Sequence, residues 1–366
     1  MGIVRHMSQF EPARLTVRLG AIGANYRECI RRAGAAAVAG VVKADGYGLG
    51  VAQVAKTLAG QGCDTFFVAR LAEGITLRTI LPRARIFVLD GAPQAAIPAL
   101  IAHNLTPVLN SLAEIEAWSK AGAGLDAAIH IDTGMNRLGL PPDELAILAA
   151  EARGRLKNIQ LKLLMSHLAC ADDSSSPMNA LQLSRFKAAL AALPPASASL
   201  ASSGGVLLGP DYMFDMVRPG LGLYGGNPRN EKPNPFAVVA VLSARILQLR
   251  RVDKGETVGY GATFQAQRPS TLATVALGYA DGLMRAIGNR GKGVIKGVVA
   301  PIAGRLSMDL VTLDVTDIPG VTVGDEVEFL GDTISLDELA AAANTAPYEI
   351  LTSLSQRIPR HYEDAA

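Results

Sequence analysis

The sequence predicts a (β/α)8 barrel followed by a mainly β C-terminal domain, and three observations carry that prediction. From about residue 35 to residue 226, short apolar runs alternate with amphipathic helical stretches. Eight such runs can be counted, the number a closed barrel of parallel strands requires. After the proline-rich stretch at 228–235 the alternation gives way to short β-branched runs separated by turn residues, the pattern of an all-β unit. An open doubly wound sheet is the competing architecture, but no G-x-G-x-x-G turn follows the first run and such sheets usually have fewer strands. The proline-rich stretch places the division between a barrel over 12–234 and a β domain over 235–366.

The first run, 36–43, is long and branched enough for a strand buried on both faces, and it ends on Lys43. Asp45-Gly46-Tyr47-Gly48 then permits a tight turn before a helix over Val51–Ala59. Further strands are expected at 64–69, 84–90, 105–110, 127–133, 160–167, 197–203 and 216–224, with helices such as Leu112–Trp118 and Asp143–Ala152 between them. Beyond the boundary, the branched runs at 237–252, 273–279, 297–304, 310–316 and 323–327 read as strands. Helices from Leu336 to Ala343 and around Tyr348–Gln356 close the chain.

Composition narrows the class of function. The 366 residues are 49% hydrophobic and 19% charged, as in a well-packed globular protein. A net charge of +2 without a basic block argues against nucleic acid or an anionic membrane as partner. No run approaches the roughly 20 apolar residues of a membrane helix, and Met1–Met7 show no signal-peptide pattern. Cys29, Cys63 and Cys170 form no C-x-x-C pair, so reduced thiols in a cytoplasmic protein are expected rather than a disulfide frame or a metal site.

A barrel places its chemistry at the C-terminal ends of its strands. Those ends carry Lys43, Asp45 and Tyr47, then Arg70, Asp90, Asn110, Asp132, Asn136 with Arg137, His167, Ser203, and Arg218 with Gly220. Alone, Lys43 reads as a side chain snorkelling from the sheet and His167 as a hydrogen-bonded core histidine. Together they say more. The loops after strands seven and eight are the usual phosphate site of a barrel, where backbone N–H groups of Ser203, Gly204, Gly220 and Leu221 can hold a dianion. A phosphate site facing a desolvated, nucleophilic lysine points to pyridoxal phosphate held as a Schiff base.

Eight motifs in order, VVKADGYGLG, HIDTGMNRLG, MSHLA, VRPGLGLYG, VGYGATF, GYADG, GRLSMD and RIPR, make the chain resemble the alanine racemase family over most of its length. The resemblance implies a homodimer with shared active sites that interconverts L- and D-alanine, for peptidoglycan supply or alanine catabolism. It implies that Lys43 carries the cofactor and acts as one base, while Tyr260 of the partner subunit is the base on the opposite face. Tyr47, Ser203, Gly220 and Leu221 then match the phosphate contacts, and Arg218 the residue at the pyridine nitrogen. His167 would link Arg218 to the tyrosine, Arg137 would lie near the substrate carboxylate, and Met308 with Tyr279 would shape the substrate entrance.

The residue types suit the reaction. Racemisation removes a proton from one face of a planar carbon and returns one to the other, so two opposed bases are needed. Lysine and tyrosine, with ordinary pKa values of about 10.4 and 10, need burial or neighbouring positive charge to act near neutrality. An arginine at the pyridine nitrogen keeps its proton, weakens the electron sink and limits side reactions. Basic amino-acid decarboxylases of the same fold place a carboxylate there instead. A broad-specificity amino-acid racemase would share most motifs, and a cofactor carrier would lack the β domain and Tyr260.

The chain departs from the family at two positions. Many members carry a carbamylated lysine that positions the neighbouring arginine, and here that position is His130, which cannot form the stable carbamate. The aromatic residue expected before Arg357 is Gln356. Arg137 should therefore be held by the Asp132 carboxylate, a bound anion, or a neutral His130 accepting a hydrogen bond.

Overall fold

The computed structural model describes residues 11–229 and 233–364; Met1–Met7 and positions 230–232 of the proline-rich stretch, both read above, lie outside them. Seven parallel strands pair in chain order: β3 (Gly40–Val41), β4 (Thr65–Val68), β5 (Arg85–Val88), β6 (Thr106–Leu109), β7 (Leu125–His130), β8 (Ile159–Met165) and β9 (Ser197–Ser199). The first predicted strand is split. Its N-terminal half, β2 (Ala37–Val38), pairs with β10 (Met216–Val217), and its C-terminal half pairs with β4. β10 also reaches the other side, through a parallel bridge between Ser202 and Arg218 and a bond from the Arg218 N–H to Ala201 O at 2.9 Å. The sheet thus curls round to form the barrel.

The β4 strand Thr-Phe-Phe-Val is buried at every position, as expected of a parallel strand with helices outside and packed side chains inside. Phe67 and Phe87 stack at 4.7 Å between centroids on neighbouring strands. The last predicted strand, 216–224, is shorter than expected. Pro219 donates no backbone hydrogen bond and the flanking glycines favour turns, so the strand proper is Met216–Val217, Arg218 adds a single bridge, and Leu221–Tyr224 form a 3-10 turn.

The second unit is a β sheet ordered β16 (Val298–Pro301), β15 (Lys292–Ile295), β18 (Glu326–Leu330), β11 (Ala240–Val252), β1 (Ala13–Arg18), β19 (Arg360–Glu363). β11 is long because it serves two neighbourhoods. Its first half pairs with β1 and β18; after a bulge at Ile246/Gln248 its second half pairs with β14 (Ser270–Val275), which pairs with β17 (Val311–Asp314). The first strand of the chain therefore lies in the C-terminal sheet, and a helix over Leu19–Ala33 leads from it to the barrel. The helices Leu336–Ala343 and Pro347–Ser353 follow β18.

Candidate active site

A cavity of about 770 Å³ opens at the C-terminal ends of the barrel strands. Lys43, Tyr47, Arg137, His167, Ser203, Gly204, Arg218, Gly220 and Leu221 line it, so these residues, all singled out in the sequence, meet in one space. His130, Asn227, Pro228 and Tyr348 line it as well.

Lys43 follows β3, and the backbone after it takes an unusual path. Ala44, Asp45, Gly46 and Tyr47 have φ of +53°, +54°, +62° and +55°, a single left-handed turn in which only one residue is glycine. Local bonds hold it: Gly46 N–H to Val42 O at 3.0 Å, Gly48 N–H to Ala44 O at 2.7 Å, and Val51 N–H to the Asp45 carboxylate at 2.8 Å. Gln356, where an aromatic residue was expected, donates to the other Asp45 oxygen at 3.3 Å. Burial lowers the pKa of the Lys43 amine, and Arg137 lowers it further. A lysine so placed is a better nucleophile and base than one in water.

The left-handed turn carries Tyr47 inward, where its ring stacks on Tyr224 at 4.5 Å between centroids and lies 6.1 Å from that of Tyr348. The Tyr47 hydroxyl lies against Gly220, where a Cβ would come within 2.3 Å of the oxygen, so any side chain there would have to push the tyrosine aside. Ser203 Oγ accepts from the N–H groups of Gly220 at 2.9 Å and Gly222 at 3.1 Å. The Gly220 amide, expected to face an anion, is thus bound to Ser203, the nearest acceptor between two adjoining loops. The amides of Ser203, Gly204 and Leu221 open short helical turns, where no preceding carbonyl is in reach. With the Ser203 and Tyr47 hydroxyls they form a set of donors suited to a dianion.

Arg218 is 4% exposed and has no carboxylate within ion-pair reach among the described residues. One guanidinium N–H donates to Ser166 O at 2.7 Å and another to Ser199 Oγ, and the group lies 5.8 Å from the centre of the Phe67 ring. Burial pulls its pKa down to about 10, so it remains charged at neutral pH. A buried cation on a cavity wall without a counter-charge calls for an acceptor from whatever fills the cavity. The His167 pKa is held well below 6.5, first by burial and then by Arg218 and Arg137, so its ring is neutral.

His130 also faces this positive field. Its Nδ1 lies 3.0 Å from Asn110 Oδ1, and the Asn110 amide donates to Leu89 O at 3.2 Å and Val108 O at 2.8 Å. Those two bonds turn the oxygen of Asn110 towards the ring, so Nδ1 bears the hydrogen and Nε2 a lone pair. Burial, then Arg218, lowers the His130 pKa to about 4. The Asp132 carboxylate is engaged elsewhere, with Oδ1 accepting from the N–H groups of Gly134, Met135 and Asn136 at 2.9, 2.9 and 3.2 Å. It forms no ion pair with Arg137, whose side chain reaches the cavity from an exposed loop.

Tyr260, Tyr279 and Met308 do not line the cavity of their own chain. They are 69%, 40% and 55% exposed on the second unit. Tyr279 and Met308 lie side by side, with the Ala280 N–H donating to Met308 O at 2.9 Å. Arg357 braces their segments through Asp281 and Asp309, each at 2.8 Å. Sequence reasoning missed Tyr348 and Glu73. Glu73 opens the helix Leu71–Ile80, and with arginine rather than serine or threonine three residues before it the usual capping signature is absent.

Two family models match the chain: "Alanine racemase, N-terminal domain" over residues 17–228 and "Alanine racemase, C-terminal domain" over residues 239–362. The chain is 47% identical over 358 residues to an alanine racemase of Rhodospirillum rubrum, covering 96% of each. It is 44% identical to a biosynthetic alanine racemase of Agrobacterium fabrum, over 96% of this chain and 94% of that one. Its fold is similar to the crystal structure of the Bartonella henselae alanine racemase with covalently bound pyridoxal phosphate. The TM-score is 0.93 at 40% identity, covering 96% of this chain and 99% of the other.

Proposed function

The chain belongs to the alanine racemase family, and from that premise we propose how its own residues carry out the pyridoxal-phosphate-dependent interconversion of L- and D-alanine. The observation that carries the reading is the meeting of Lys43, Ser203 and Arg218 on one cavity, with the exposed Tyr260 outside it. The residues present fit the cofactor. The hydroxyls of Ser203 and Tyr47 with the amides of Gly204 and Leu221 suit its phosphate, the uncompensated Arg218 suits an acceptor ring nitrogen, and Lys43 is the amine that would hold it covalently.

Pyridoxal phosphate, when bound, supplies the electron sink that makes the α-proton of the amino acid acidic. Lys43 removes or returns that proton on one face of the α-carbon, aided by the burial that lowers its proton affinity. Tyr260 of the partner subunit serves the opposite face, for which its 69% exposure leaves it available. Arg218, buried and charged, holds the ring nitrogen without giving up a proton. Arg137 meets the substrate carboxylate. His167, neutral beside Arg218, links that arginine to the tyrosine. Tyr279 and Met308 of the partner subunit narrow the entrance.

Within 12–234 the barrel, without the strand Ala13–Arg18 that pairs in the second sheet, then serves as the cofactor-binding unit, and 235–366 supplies the second base. The exposed side chains of Tyr260, Tyr279, Met308 and Leu310 would be covered on dimerisation. No helix among the described residues is long and apolar enough to cross a membrane, and the buried thiols of Cys29 and Cys63 suit a cytoplasmic setting. We assign the enzyme to D-alanine supply or alanine catabolism.

Subunit complementation tests the assignment. Lys43→Ala and Tyr260→Phe should each lose most turnover, and mixing them with subunit exchange should restore part of it, because each mixed dimer contains one site with both bases intact. Absence of recovery after proven exchange refutes the shared site, and retained turnover in Lys43→Ala refutes the role of Lys43.

A further inference from the structure

The carboxylate of Glu73 lies where three backbone N–H groups converge. Oε2 accepts from Ala69 at 2.8 Å and Arg70 at 3.0 Å, while Oε1 accepts from Ala44 at 2.7 Å. The first two bonds belong to the start of the helix Leu71–Ile80, where an acidic residue in the first turn commonly satisfies free amides. The third has no such explanation. Ala44 lies 29 positions earlier, directly after Lys43, and is the first residue of the left-handed turn. Left-handed backbone is sterically unfavourable for alanine, and a single turn persists only where its surroundings hold it.

We propose that Glu73 is a positioning residue for Lys43: by fastening the Ala44 amide to the end of the neighbouring barrel strand, it fixes the direction in which the lysine amine enters the cavity. The inference rests on the role proposed above for Lys43. The charge matters as well as the tether. Arg137 and His167 face the amine from the positive and neutral sides, and Glu73, ahead of Asp90, is the negative group that opposes loss of its proton. Glutamine cannot replace the carboxylate. Donors approach both oxygens, and an amide offers one acceptor oxygen and one NH2 group that would meet an N–H head-on.

The full-length holoenzyme provides the test in two variants. Glu73→Gln should lower kcat about tenfold while leaving KM for alanine within about twofold, because misplacing a reacting group costs rate more than binding. The acid limb of kcat, which reports groups of the enzyme–substrate complex, should move to lower pH as the negative charge is lost. Amide hydrogen exchange in the peptide covering residues 42–49 should quicken. Glu73→Asp keeps the charge on a shorter arm. It should therefore lose kcat and exchange faster with the acid limb in place, and it carries the test if the glutamine variant does not fold. Wild-type kcat and exchange in either folded variant overturn the proposal. So does a lowered thermal midpoint with exchange at 42–49 unchanged, since Glu73 would then be a helix cap only. Failure of the underlying reading looks different: Lys43→Ala would itself retain turnover.

Discussion

Acidification should expose the buried histidine on the cavity wall. His130 is 8% exposed, donates through Nδ1 to Asn110, and has its pKa lowered to about 4 by burial and by Arg218. In the unfolded chain the same ring takes up a proton near the ordinary value of about 6.5. Above that pH it is neutral in both states and stability does not depend on its titration. As pH falls from about 6.5 to about 4 the unfolded chain binds a proton that the folded chain refuses, so stability declines across that window. The full loss, reached below both values, is on the order of 3 kcal/mol. His167, depressed for the same reasons, contributes in the same direction, so His130 must be isolated by difference. Urea-denaturation midpoints of the wild type and of His130→Asn should be measured at several pH values between about 7.5 and 4.5. The wild type should lose more stability across the window than the variant, with the gap closing above about pH 6.5 apart from a constant offset. Parallel pH dependences would refute the reasoning, because His130 would then titrate alike in the folded and unfolded chains.

Activity should not depend on dissolved bicarbonate, since imidazole forms no stable carbamate and Asn110 already fixes the ring. A clear rise in rate on adding bicarbonate to degassed enzyme at constant pH would show otherwise. Ser203→Ala leaves two buried glycine amides without their acceptor, each at a cost of about 1–3 kcal/mol, and removes a donor from the proposed phosphate site. Pyridoxal phosphate affinity, followed by its visible absorbance during equilibrium dialysis, should weaken by about tenfold or more; binding within twofold of wild type would contradict the site as drawn.

The sequence by itself determined the barrel, the β domain and most of the cavity lining. Strand periodicity is a local property of the chain, and a barrel gathers the C-terminal ends of its strands at one mouth, so the sequence alone groups Lys43, His167, Ser203 and Arg218. Only the tertiary structure decided what depends on partners far away in the chain. Ala13–Arg18 pairs with residues 240–244 and 360–363, a register that no local pattern encodes. The run at 216–224 stops pairing at Arg218, because Pro219 and its glycine neighbours leave the ladder there. The sequence leaves Asp132 free to pair with Arg137, whereas in the fold three backbone amides occupy its carboxylate. Likewise Glu73 meets Ala44, and Asn110 meets His130, only across neighbouring strand ends. Periodicity names the residues that reach a face; hydrogen bonds act over about 3 Å, so their partners are chosen only when the folded backbone brings the groups together.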